Sequence, residues 1–238
     1  MDKARNGKSA ETRGRVTVWG LVLAFTIISS NQRARAQANS SAFGGADLRI
    51  TLRMYNHGMS RGLLVHAETE AGAILKQAGI EAAWVDCPLK AAEREDYLAC
   101  EEPMGPTDFV VKVLNVGEAD RFSKHHEALG QALECPREQA GCSAYIFYRD
   151  VLALARDGDA SEFQVLGHAL AHEIGHLLMG PNSHSAVGGM RGEWNHWDLK
   201  MIARAYLFFT EQQAKQIRYE VAARNAIRQG QMATAGIR

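Results

Sequence analysis

The chain has 238 residues, 46% of them hydrophobic and 23% charged, with a formal net charge of zero. That is ordinary globular composition, enough for one domain or two small ones. The charge is uneven: the first 38 residues hold seven Lys/Arg and two Asp/Glu, leaving 20 basic and 25 acidic residues beyond them, which argues against nucleic acid as the main partner.

The N-terminus accounts for the asymmetry. A basic start, MDKARNGKSAETRGR, precedes an apolar run of 13 residues, Val16 to Ile28, and then a polar stretch ending in Ala36-Gln37-Ala38. This is the three-part layout of a secretory signal over residues 1–38. A bilayer span needs about 20 apolar residues. An uncleaved N-terminal anchor is the alternative. Either reading places the rest of the chain outside the cytoplasm, periplasmic or extracellular, with no membrane contact beyond the leader. Residues 39–46 read as a flexible leader and 47–238 as a single domain.

Leu48 to Tyr55 alternates apolar and polar residues, which predicts a strand with one buried face. After a turn, Leu64, Ala67, Ala71, Ile74, Leu75 and Ala78 recur at helical spacing until Gly79 stops the helix. Ile80 to Cys87 is a second strand and Thr107 to Val116 a third, with a polar loop up to Met104 between them. The region from Gly117 to Cys142 is ambiguous and suggests only a short edge strand near Ala128 to Leu133. SAYIFYRDVLAL begins as a strand. Then FQVLGHALAHEIGHLLM forms a long apolar helix ended by Gly180 and Pro181. A glycine-rich loop leads to a helix over WDLKMIARAYLFF, and a last helix opens with Thr210 and Gln213 placed as a capping box. This order predicts an α+β layer with helices packed on a sheet.

Four cysteines, Cys87, Cys100, Cys135 and Cys142, all follow the leader. In an oxidising compartment an even number suggests two disulfides. Three pairings are possible. Cys87–Cys100 and Cys135–Cys142 are favoured because each pair brackets a short loop.

The chemistry concentrates in HEIGHLLMGPNSHS, His172 to Ser185. His172 and His176 are four apart on a predicted helix, so their rings share one face. Two imidazoles so placed can share one zinc ion. Glu173 beside them suits a general base that takes a proton from an activated water and returns it to a leaving amine. Gly180 lets the chain turn back, so His184 can supply a third ligand. Gly188-Gly189-Met190 can then turn to set Met190 beneath the site.

These residues resemble the metzincin clan of zinc peptidases, whose pattern is H-E-x-x-H-x-x-G-x-x-H followed by a Met-turn. The matching positions are His172, Glu173, His176, Gly180, His184 and Met190. Three residues separate His176 from Gly180 and three separate Gly180 from His184, one more than the pattern in each gap. The resemblance implies a small, twisted, mostly parallel sheet, an active-site helix, a Met-turn and C-terminal helices. It also implies one catalytic Zn2+ and a protein or peptide substrate. Some members carry a tyrosine two residues after the Met-turn methionine; here that position is Gly192. Arg191, Trp194, His196 and Tyr206 are the candidates for its oxyanion-stabilising role.

Other readings stay open. A gluzincin-type peptidase would take Glu193 or Glu211 as third ligand. A non-catalytic exported metal-binding domain would keep the histidines without the chemistry. His168 reads as structural. His125 and His126 read as solvated in a charged segment, and nothing ties His57 or His66 to the site. The aromatic residues of WNHWDLKMIARAYLFF read as core packing.

Overall fold

The computed structural model describes residues 48–90, 97–122 and 128–235. The leader, the segment 39–46, and His125 and His126 lie outside these. In chain order the elements are β1 (Arg49–Asn56), α1 (Arg61–Gln77), β2 (Glu81–Cys87), α2 (Leu98–Glu101), β3 (Asp108–Leu114) and α3 (Val116–Phe122). There follow β4 (Gly130–Ala132), β5 (Cys142–Phe147), α4 (Tyr148–Asp157), α5 (Glu162–Met179), α6 (His196–Ala203) and α7 (Glu211–Ala235).

The five strands form one sheet in the order β2-β1-β3-β5-β4. β2, β1, β3 and β5 are mutually parallel, and β4 runs antiparallel at the edge. The fold is α+β, as the element order predicted. Register follows the apolar alternation. Leu52 pairs with Trp84 on one side and Phe109 on the other, and Phe109 pairs with Cys142. Ile50, Leu52, Met54, Phe109, Val111, Ala144 and Ile146 thereby share one buried face. Each large aliphatic or aromatic side chain so buried contributes about 2 kcal/mol relative to exposure. On the opposite face Leu114, Ala119, Tyr145 and Phe147 form a smaller cluster.

α1 and α5 cover the larger face. Ser60 caps α1 by accepting from the Leu63 N–H, and the expected stripe from Leu64 to Ala78 is buried. α5 opens on a capping box between Ser161 and Gln164. Every residue from Val165 to Leu178 is buried, so this helix runs through the middle of the molecule. It crosses α1 closely at Gly167, where a Cβ would stand 2.6 Å from the Glu70 Cβ.

Three departures from the expected elements have local causes. The ambiguous region holds a helix, α3, whose entry is fixed by Asn115 accepting from the Glu118 N–H. The helix after the glycine-rich loop ends at Ala203, short of the expected Phe209. There Ala205 takes a left-handed φ of 55°, and the Tyr206 N–H turns back to the Met201 carbonyl. The last helix, expected over TEQQAKQIRYEVAARNAIRQ to Gln229, continues through Gly230 to Ala235. Its Thr210–Gln213 capping box is present.

Both disulfides join the favoured pairs, Cys87–Cys100 and Cys135–Cys142, with Cα–Cα distances of 5.7 and 5.5 Å. The second closes the β4–β5 hairpin. Arg224 of α7, 1% exposed, holds the same hairpin: its Nη2 donates to the Cys135 carbonyl, its Nη1 to the Pro106 carbonyl and its Nε to Glu220. Two disulfides fit an oxidising, exported location. Among the described residues no helix is long and apolar enough to cross a membrane.

Candidate metal centre

Helix α5 brings His172 and His176 one turn apart, with their Nε2 atoms at 3.1 Å. At Gly180 the backbone takes φ +95°, a conformation glycine adopts freely, and the chain leaves the helix. The loop then returns His184, whose Nε2 lies 3.3 Å from that of His172 and 3.0 Å from that of His176. The extra residue in each gap is absorbed by this loop.

The tautomers decide what the trio is. The His172 Nδ1 is 2.8 Å from the Gly189 carbonyl, which can only accept, so Nδ1 carries the proton and Nε2 the lone pair. The His176 Nδ1 likewise donates toward the Gly180 carbonyl at 3.2 Å and the Ser183 hydroxyl at 3.0 Å. His172 and His176 therefore turn Nε2 lone pairs toward the His184 Nε2, an arrangement in which the three nitrogens could hold one ion. Nitrogens about 2.0–2.1 Å from a tetrahedral ion stand roughly 3.3 Å apart, close to the distances found. Burial holds the His172 imidazole down to about 4 and lowers His176 as well, so both are neutral at physiological pH. Among the described residues His172, His176 and His184 are the group able to hold a metal ion. Carbonyls and a hydroxyl orienting the far ring nitrogens are the usual support for such ligands.

Glu173 lines the same cleft as the three histidines and lies against Gly130 of β4. It is 6% exposed, and the Ala132 backbone N–H donates to it. Burial pushes its carboxyl up to about 8, opposed by that hydrogen bond; a cation on the imidazoles would favour the carboxylate form. Gly130 makes the approach possible, since a Cβ there would lie 2.7 Å from the Glu173 Cγ.

Met190 is fully buried beside the histidine helix. Its Sδ occupies the space a Cβ on Gly175 would need, at 2.5 Å. The turn carrying it is closed by the Ser185 N–H on the Met190 carbonyl (2.9 Å) and the Arg191 N–H on the Gly188 carbonyl (3.0 Å). Gln213 of α7 braces it through the Ser185 hydroxyl. Gly192, where a tyrosine stands in some metzincins, faces His184: a Cβ there would be 2.9 Å from the His184 Nδ1. The glycine makes room for that ring.

A cleft of about 690 Å³ opens over the group. One wall is the Leu129–Ala132 segment with β4, another is Asp150, Leu154 and Asp157 of α4, and a third is Arg191 to Trp194. Of the four residues weighed for the tyrosine's role, Arg191 and Trp194 line this cleft, whereas His196 and Tyr206 do not. Glu193 lines it outside the metal-binding group, and Glu211 is ion-paired with Arg218 at the start of α7. His168 is a packed side chain whose Nδ1 donates to the Gln164 carbonyl. His57 pairs with Glu118 and His66 lies against Phe163, both away from the cleft. The expectation that the aromatic residues after the loop are core holds for Phe209, which is buried, and for Trp194 and Phe208, which pack against the core, but not for Trp197 and Tyr206, which are 63% and 64% exposed. The sequence reading missed the α4 wall. Its signal was the spacing of Asp150, Leu154 and Asp157 on one helical face.

No family model matches the chain, and no curated protein matches it.

Proposed function

We propose that the chain is a metzincin-like zinc metallopeptidase acting outside the cytoplasm on protein or peptide substrates. The observation that carries this reading is the convergence of three Nε2 atoms at 3.0–3.3 Å in an open cleft, with Glu173 next in sequence to the first ligand. His172, His176 and His184 would hold the ion. Zinc bound there would supply Lewis acidity, activating a water and polarising a carbonyl.

The chain's own residues do the rest. Among the described residues β4 pairs only with β5, so its outer edge offers backbone donors and acceptors along the cleft to an extended peptide. Glu173 takes the proton of the attacking water and passes it to the departing amine. The Ala132 N–H fixes that carboxylate, and Met190 and Gly189 hold the first ligand's helix and ring in place.

A non-catalytic metal-binding domain is favoured by one observation, the burial of Glu173 against β4. Peptide-library cleavage by the zinc-loaded protein and by Glu173→Ala separates the two. A peptidase loses its activity in the variant and keeps its zinc; a binding domain cleaves nothing in either form.

A further inference from the structure

We propose that Arg191 receives a carboxylate of the substrate, so that the cleft selects peptides with an acidic group at one defined position. This rests on the peptidase reading and adds the chemistry of selection to it.

Arg191 is the arginine of the cleft, and no lysine joins it among the described lining residues. Its backbone is fixed to the metal-binding loop. It follows Met190, bridges to Ser185 beside His184, and precedes Gly192, which touches the His184 ring. Its side chain is fixed at one end only. Nε donates to the Glu193 carbonyl at 3.1 Å and is ion-paired at 3.3 Å with the buried Asp198 carboxylate, which the Asn195 N–H also holds. Nη1 and Nη2 have no hydrogen-bond partner among the described residues, and the side chain is 34% exposed.

The other arginines near the core differ. Arg53 and Arg224 spend their Nη groups on backbone carbonyls, and Arg137 and Arg149 spend theirs on carboxylates. An arginine anchored at Nε with both Nη groups open presents an oriented fork, the geometry that takes a carboxylate through two parallel hydrogen bonds. The facing wall carries Asp150 and Asp157, and Glu193 lies beside the fork without an ion pair to it. Those carboxylates repel anions elsewhere in the cleft, so the preference is confined to the position Arg191 reaches. The carboxylate is either an acidic side chain or the C-terminus of the peptide.

The test uses the zinc-loaded full chain and a peptide that it cleaves. A single Glu or Gln is moved through the positions around the scissile bond, and each peptide is made as C-terminal acid and amide. The expected result is one position, or the C-terminal acid, at which the carboxylate raises kcat/KM by about tenfold or more over its neutral isostere. In Arg191→Gln that ratio falls to near one, and Arg191→Lys keeps part of it. A preference for Glu supports an acidic side chain, and a preference for acid over amide supports the C-terminus. Zinc content checks that the site survives; where Arg191→Gln loses metal, the Arg191→Lys ratio decides, and a ratio equal to wild type overturns the fork. An unchanged ratio in Arg191→Gln, or no position favouring the acid, also overturns the proposal. If the wild type cleaves no peptide at all, the peptidase reading has failed, and equilibrium binding of the same acid and amide peptides becomes the readout. Equal affinity for the two then overturns the role of Arg191 separately.

Discussion

Glu173 and Gly192 expose the chemistry of the site to single substitutions. Replacing Glu173 by Gln keeps the side chain's size and removes its capacity to take a proton. The expected loss is about 10²- to 10⁴-fold in peptide hydrolysis, with metal content unchanged when measured on the same samples. Gly192→Ala places a methyl where the His184 ring stands. Metal affinity should fall by about tenfold or more, read by competition with a chelator, while Glu173 chemistry remains. A third residue sets a pH dependence away from the site. Glu68 is 7% exposed with Oε1 unpartnered, and burial raises its carboxyl to about 7 despite the nearby Arg61. The folded state therefore keeps a proton that the unfolded chain, near the ordinary value of 4.5, has already released. Stability falls as pH rises between those values. Compared with wild type, Glu68→Gln should lose that portion of the fall, so the difference in Tm between the two proteins should widen from pH 5 to pH 8. An equal difference at both pH values would contradict it.

Among the elements, the β4–β5 hairpin is the exposed dependency of the cleft. β4 has three residues, pairs on one side only among the described residues, and supplies the Ala132 N–H that fixes Glu173. The Cys135–Cys142 disulfide, Arg224 and the Arg137–Glu220 ion pair tie its loop down. Closing a loop with a sequence separation of 7 stabilises by about 2 kcal/mol in the chain-entropy picture. A Cys135→Ser/Cys142→Ser double variant should lose about that much in urea denaturation, and more in hydrolysis than in metal content. Legibility divides along the same line. β1 and α1 were readable because their apolar periods of two and 3.6 follow burial on one face, and β2 and β3 because each is a short run rich in apolar residues, β3 being buried on both faces. The pair His172 and His176 was readable because helical spacing alone brings them together. α3 was hidden by the weak apolar pattern of VGEADRF, and the early end of α6 by RAYLFF, which carries no Gly or Pro to mark the break at Ala205. Of the cleft walls, β4 was legible as the short edge strand expected near Ala128 to Leu133, and α4 carried a local signal in the spacing of Asp150, Leu154 and Asp157, but their meeting around Glu173 depends on tertiary packing that no local pattern records.

Over the whole molecule, the arrangement serves one end. A mostly parallel sheet supports a single helix buried along nearly all its length, and the loop after Gly180 folds back over that helix's polar residues. Histidines and a glutamate are costly in such a helix unless they are hydrogen-bonded or bound to metal. Here their far ring nitrogens meet carbonyls, and their near ones meet each other at ligand spacing. The measurement that tests this most directly is the metal content per chain of the purified protein by elemental analysis, with His184→Ala alongside. The predicted result is about one zinc per chain in the wild type and clearly weaker retention in the variant. No bound metal in the wild type after refolding with zinc and intact disulfides would contradict it, and the histidine-rich helix would then be architecture alone.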